Sequence, residues 1–160
     1  MAEKELKSIY LLLVLAFIAG FLACHIYITL QKTEVFEPKQ NVVVTQIIDG
    51  DTLVVEGGSR IRLLGINTPE KGQAFYSEAK SFLSNLTLQK TISLEKDVEN
   101  KDQYDRYLRY IWLNDTLVNL ELVKAGLAYA LIYEPNIKYQ KEIVDAEQEA
   151  KTNKLRLWAK

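Results

Sequence analysis

The sequence carries one cysteine, Cys24, and one histidine, His25. A lone cysteine excludes an intramolecular disulfide, so any exported domain must be stable on its core alone. Both residues fall in an apolar run near the N-terminus. Histidine-based catalysis and a multi-histidine zinc site are therefore excluded for the rest of the chain. An excess of positive charge is also missing. From Asn41 to the end there are 16 Lys or Arg and 17 Asp or Glu, and 16 − 17 gives −1. A polyanion would have to be captured by a local patch, not by a bulk field. There is no internal repeat and no low-complexity tract. With 48% hydrophobic residues the chain is not of the disordered class, and its 160 residues suffice for one domain with a single core.

Part of that hydrophobicity is one block. Ile9 to Leu30 contains no formally charged residue and is 22 residues long, against roughly 20 for a spanning helix. Lys4 and Lys7 precede it, and Lys32 and Lys39 follow, a slight bias toward a cytoplasmic N-terminus. The expected organisation is a cytoplasmic tail over 1–8, a transmembrane anchor or signal segment over 9–30, a polar linker over 31–40, and a folded domain over 41–160. An uncleaved signal-anchor is the favoured reading. Lipid attachment at Cys24 and cleavage with release are the alternatives, and all three place the domain outside the cytoplasm.

The first half of the domain reads as strands. Val42–Ile48, Thr52–Glu56 and Arg60–Leu64 are rich in β-branched and apolar residues, and Asp49-Gly50-Asp51, Gly57-Gly58 and Gly65 separate them. After Gly72 the period changes, and Phe75, Ala79, Phe82 and Leu86 fall on one helical face. Thr91–Glu95 and Leu108–Leu113 are two further strands, with a charged loop between them. Leu117–Ala125 is a short helix capped by Gly126. Pro135-Asn136 opens a long helix with a Tyr139, Ile143, Ala146, Ala150 stripe, and Leu155 and Trp158 pack the tail back. Five strands and three helices suggest an α+β domain, a small antiparallel barrel with helices on one side.

Three local features carry chemistry. Asp49-Gly50-Asp51 puts two carboxylates in a tight turn, either an ordinary hairpin or part of an oxygen-ligand cation site. Arg60 to Glu70 puts Arg60 and Arg62 on one strand face, then offers oxygens from Asn67, Thr68 and Glu70 around a stiffening Pro69. Asp102 to Arg109 is a charged, aromatic loop entering a strand, which taken alone reads as an ordinary solvated loop. Together they suit phosphodiester hydrolysis: a cation orients the phosphate, a carboxylate takes a proton from water, and guanidinium forks match the charge gained by the phosphate oxygens.

Ile48-Asp49-Gly50-Asp51-Thr52, then Arg62-Leu63-Leu64-Gly65-Ile66-Asn67-Thr68-Pro69-Glu70, then Asp102, Tyr104 and Arg106 resemble the staphylococcal nuclease (thermonuclease) family. So do Gly126-Leu127-Ala128, Tyr133, Pro135-Asn136, Leu155 and Trp158. The resemblance covers about residues 41–159. It implies an OB-fold, a five-stranded β-barrel with three helices, and calcium-dependent endonuclease cleavage of single-stranded DNA and RNA to 3′-phosphate ends. Asp51, Asn67 and Thr68 would bind Ca2+, with Asp49 behind them. Glu70 would position or deprotonate water, and Arg62 and Arg106 would clamp the phosphate. Tyr104 and Tyr133 would contact phosphate and stack on a base. No obligate protein partner is implied. Asn67 stands where the family usually has Asp, which predicts weaker calcium binding. Asp105 replaces a small Gly beside Arg106 and adds negative charge near the groove. The competing reading is a weak or inactive module of the same fold that binds nucleic acid or a protein.

Overall fold

The computed structural model describes residue 5, residues 13–23 and residues 40–159. Two compact units result, residues 1–36 and residues 37–160.

In the first unit residues 13–23 form helix α1, with Leu13, Phe17 and Phe21 exposed. The expected span over 9–30 extends beyond the described residues at both ends. Among the described residues no helix is long and apolar enough to cross a membrane. The linker expected over 31–40 also lies outside them, except Gln40.

The second unit is a barrel with three helices. Its strands are β1 (Gln40–Ile47), β2 (Thr52–Val55), β3 (Arg60–Leu63), β5 (Thr91–Glu95) and β6 (Tyr107–Leu113). The strand order β3-β2-β1-β5-β6 closes by a direct β3–β6 pairing. The expectation of an antiparallel barrel fails at that seam, because β3 and β6 run parallel, with Ile61 opposite Tyr107 and Leu63 opposite Arg109. Sequence alternation fixes which face of each strand is buried, but not which distant strand it meets. Strand β1 serves two neighbours. Its first half pairs with β5 and its second with β2, and the register slips between Val44 and Gln46. Such a bulge bends a strand and lets one chain segment turn a barrel corner.

Three short strands lie outside the five expected. β4 (Ile66–Asn67) pairs with β8 (Tyr129–Ala130), and β7 (Thr116–Leu117) folds back on β6. Helix α2 (Tyr76–Thr87) buries Ala79, Leu83 and Thr87, with Phe75, Phe82 and Leu86 packed at the edge of the core. The buried stripe is thus rotated slightly from the predicted face. Helix α3 (Val118–Lys124) starts one residue later than predicted because Leu117 belongs to β7. Gly126 follows it with φ +68, as a C-terminal cap requires. Any side chain there would also meet the backbone of Leu155 at 2.6 Å, so Gly126 admits the returning tail. Helix α4 (Gln140–Thr152) buries Ile143, Ala146 and Ala150 as predicted. It begins four residues after Asn136, because residues 133–137 form turns, with Asn136 N–H donating to the Tyr133 carbonyl and Ile137 N–H to that of Pro135.

The core runs through Val44, Leu53, Ile61, Leu63, Ile92, Tyr110, Ile111, Leu122 and Ile143. Where α3 meets the seam, one polar side chain is wholly buried. Asn119 accepts from Ile111 N–H at 2.9 Å and donates to the Leu64 carbonyl at 2.9 Å.

Candidate active site

The β2–β3 register sets Thr52 opposite Arg62, and the Leu63 N–H donates to the Asp51 carbonyl at 2.9 Å. The Asp49-Gly50-Asp51 turn therefore lies against the strand that carries Arg62. Within the turn, Asp51 N–H donates to Asp49 Oδ1 at 3.1 Å, which tightens the bend as an Asx turn does. Gly50 has a different role from the one its place in a turn suggests. A Cβ there would lie 2.7 Å from Thr68 Oγ1 and 2.8 Å from the Ala79 methyl. Its missing side chain is what lets the loop after β4 close over the turn.

That closure brings Thr68 to Asp51. The Asp51 side chain is 8% exposed. Its Oδ2 accepts from Thr68 N–H at 2.8 Å and from Thr68 Oγ1 at 3.1 Å, and its Oδ1 accepts from Thr52 Oγ1 at 3.2 Å. Arg62 Nε lies 3.3 Å from Oδ1. Arg62 is itself well covered. Nη1 donates to the carbonyls of Leu63 and Ile66, and Nη2 donates to Asn67 Oδ1 at 3.1 Å. Burial pulls the guanidinium below its ordinary pKa, Asp51 opposes that pull, and the charge of Arg106 adds to it. Burial also pushes the Asp49 carboxyl up, and the charge of Asp51 pushes it further.

The loop between β5 and β6 builds the opposite wall. Asp102 organises it: Oδ1 accepts from the N–H groups of Tyr104 at 2.9 Å and Arg106 at 3.1 Å. Oδ2 takes Nε and Nη2 of Arg106, both at 2.7 Å. Burial alone would raise the Asp102 carboxyl, but these bonds hold it below the usual carboxylate range. The Arg106 guanidinium stacks 5.3 Å from the Tyr104 ring centroid. Arg60 Nη2 donates to the Tyr104 carbonyl at 3.1 Å and ties the loop to β3.

Tyr133 arrives from a third direction. Leu131 N–H donates to the Gly65 carbonyl at 2.8 Å. Asn136 accepts from Glu99 N–H and donates to the Glu99 carboxylate, so the Tyr133 turn is stapled to the Asp102 loop. A groove of about 520 Å3 results, lined by Arg62, Lys101, Tyr104, Arg106 and Tyr133 among others. Tyr104 and Tyr133 are 61% and 71% exposed, although tyrosine normally buries most of its ring.

Of the residues singled out in the sequence, Arg62, Arg106, Tyr104 and Tyr133 share this groove, and Asp51 and Thr68 lie behind Arg62. Asn67 reaches them through its bond to Arg62. Glu70 stands exposed two residues beyond Thr68, its N–H donating to Gln73 Oε1 at 2.7 Å. Sequence reading missed Asn119 and Glu99, and took Asn136 for the opening of a helix where its side chain ties the Tyr133 turn to Glu99. A buried Asn in a helix leaves no periodic signal, and the Glu99–Asn136 pairing spans 37 residues.

Asp51, Asn67 and the Thr68 carbonyl offer oxygen donors only, the chemistry of a hard cation. Among the described residues no three His, Cys, Asp or Glu side chains cluster as a metal site would. A cation here would rest on one buried carboxylate with amide and carbonyl oxygens. The donor types fit calcium, at a low charge count.

Residues 60–160 match the model of the family described as staphylococcal nuclease homologue. The thermonuclease of Staphylococcus intermedius is 37% identical over 128 residues, covering 74% of this chain and 76% of the relative. The thermonuclease of Staphylococcus hyicus is 35% identical over 130 residues, covering 76% and 77%. Endonuclease YncB of Bacillus subtilis (strain 168) is 36% identical over 131 residues, covering 75% and 62%. By fold, motif order and these likenesses, the chain belongs to the staphylococcal nuclease homologue family.

Proposed function

We propose that this chain is a nuclease that hydrolyses phosphodiester bonds of single-stranded DNA and RNA in the groove between Tyr104 and Tyr133. The observation that carries the reading is the convergence of Arg62 and Arg106, from separate elements, on one groove flanked by two exposed tyrosines. Two guanidinium groups present planar forks to the oxygens of a phosphoryl group, and exposed rings offer sequence-tolerant stacking for bases. Relatives named thermonuclease and endonuclease support the same class of activity.

In this reading water attacks phosphorus, its proton passes to Glu70, and the P–O5′ bond breaks to leave a 3′-phosphate, the departing 5′-oxygen taking a proton from solvent water to become a hydroxyl. Arg62 and Arg106 stabilise the charge that builds on the equatorial oxygens. Asp51, Asn67 and Thr68 would hold Ca2+, which supplies charge neutralisation and orientation of the phosphate. Asp49 shapes the turn that presents Asp51. Asn67 Oδ1 is shared with Arg62, and Asn supplies no formal charge, so calcium is expected to bind weakly. The outward orientation set by residues 9–30 is part of the proposal, and places the enzyme where it meets exogenous nucleic acid.

The test is cleavage of single-stranded DNA by the full chain, with millimolar calcium and with excess chelator, followed by analysis of product ends. Calcium-dependent cleavage to 3′-phosphates is expected, with Asn67→Asp lowering the calcium needed. Folded protein that cuts nothing at millimolar calcium would move the reading to a nucleic-acid-binding module.

A further inference from the structure

The loop from Lys101 to Arg106 holds two cations and two carboxylates in interleaved pairs. Arg106 meets Asp102 at 2.7 Å, and Lys101 meets Asp105 at 2.7 Å. The pairs differ in setting. Arg106–Asp102 is half-buried and reinforced by backbone bonds. Lys101–Asp105 is open, the Asp105 side chain being 80% exposed. Lys101 also lines the groove beside Arg62, Arg106 and Tyr133, and its ammonium sits 4.4 Å from the Tyr107 ring centroid. The ring offers a fixed seat for a cation at the groove. Asp105 has φ +60, a left-handed conformation uncommon outside glycine but tolerated by Asp and Asn.

We propose that Lys101 is an additional phosphate-binding residue of the groove and that Asp105 occupies it in place of a substrate phosphate, setting the affinity for nucleic acid. The inference rests on the reading of the groove as a nucleic-acid site. An exposed ion pair is weak, so a backbone phosphate can displace the carboxylate. Displacing an internal carboxylate gains less than neutralising a phosphate with an unpaired ammonium. The pair therefore lowers affinity without removing the cation.

The test is binding of a fluorescent single-stranded oligonucleotide to the full chain in chelator, across a salt series. Wild type, Asp105→Asn, Lys101→Ala and the double variant are compared. Asp105→Asn keeps a residue that accepts the left-handed backbone. It is expected to tighten binding about threefold to fivefold at low salt, and to steepen the log Kd against log salt slope by about 0.7, one more phosphate contact on a single strand. In the Lys101→Ala background the same substitution is expected to give no tightening. Equal tightening in both backgrounds would overturn the proposal, because Asp105 would then act on the groove as a whole. Binding by wild type with no change in Asp105→Asn would overturn it too, and would leave the nucleic-acid reading standing. No binding by any of the four proteins would overturn both.

Discussion

Replacing Arg62 or Arg106 by lysine is expected to slow cleavage of single-stranded DNA by about a hundredfold to a thousandfold, the loss typical of removing one transition-state donor. Lysine keeps the charge and loses the fork. The two variants should nevertheless differ in stability. Arg62 serves the carbonyls of Leu63 and Ile66, the amide of Asn67 and the carboxylate of Asp51 from three nitrogens. A single ammonium cannot reach partners spread around a guanidinium, and Asp51 is buried. Arg62→Lys should therefore lose stability by about 1–3 kcal/mol, the cost of buried groups left without partners. Arg106 is more exposed and its bonds converge on Asp102 Oδ2. A lysine can make one of them, so Arg106→Lys should unfold close to wild type while losing the same order of rate. Steady-state kcat/KM beside urea unfolding separates these effects. Near wild-type turnover in both variants would refute the roles given to the arginines.

Asn119→Ala is expected to be the most destabilising substitution outside the apolar core. Asn119 is wholly buried, accepting from Ile111 N–H and donating to the Leu64 carbonyl. Alanine leaves both backbone groups unsatisfied, at about 1–3 kcal/mol each, or about 2–6 kcal/mol in all. That is a large part of the 5–15 kcal/mol or so that holds a typical domain together. Leu64 leads directly into Gly65, Ile66 and Asn67, so the loosened seam is the one that presents Arg62 and the oxygen donors. Urea unfolding should show a lower midpoint at unchanged slope. A loss under about 1 kcal/mol would mean that relaxation or water replaces the amide.

The strands that the sequence reveals are those whose own residues dictate them. The runs before and after Asp49-Gly50-Asp51 are rich in β-branched residues, and both form strands as expected. The stripe Ile143, Ala146, Ala150 is likewise local, and helix α4 buries it. What escaped depends on distant partners. Ile66–Asn67 is a strand only because Tyr129–Ala130 lies beside it. The parallel seam joins Arg62 to Leu108 across 46 residues. The start of α4 slipped because residues 133–137 form turns, which the bonds of the Asn136 side chain to Glu99 tie to a distant loop. At the site, motif order named residues that the fold gathers, Arg62, Arg106, Tyr104 and Tyr133 among them. Gly50 is legible in sequence only as part of a tight turn, while its missing side chain is what admits Thr68. Asp105 was legible as a charge near the groove, and its pairing with Lys101 needed the loop geometry.

In the proposed reaction this groove cuts phosphodiester bonds, with Glu70 taking a proton from water. Its most direct test is the rate of single-stranded DNA hydrolysis in millimolar calcium by the full chain and by Glu70→Gln, with oligonucleotide binding measured in parallel. Gln is nearly isosteric and cannot accept the proton, and Glu70 is exposed, so the variant should fold and bind as wild type does. Turnover is expected to fall by about a hundredfold or more while binding persists. Equal hydrolysis by the two proteins would rule out that role for Glu70.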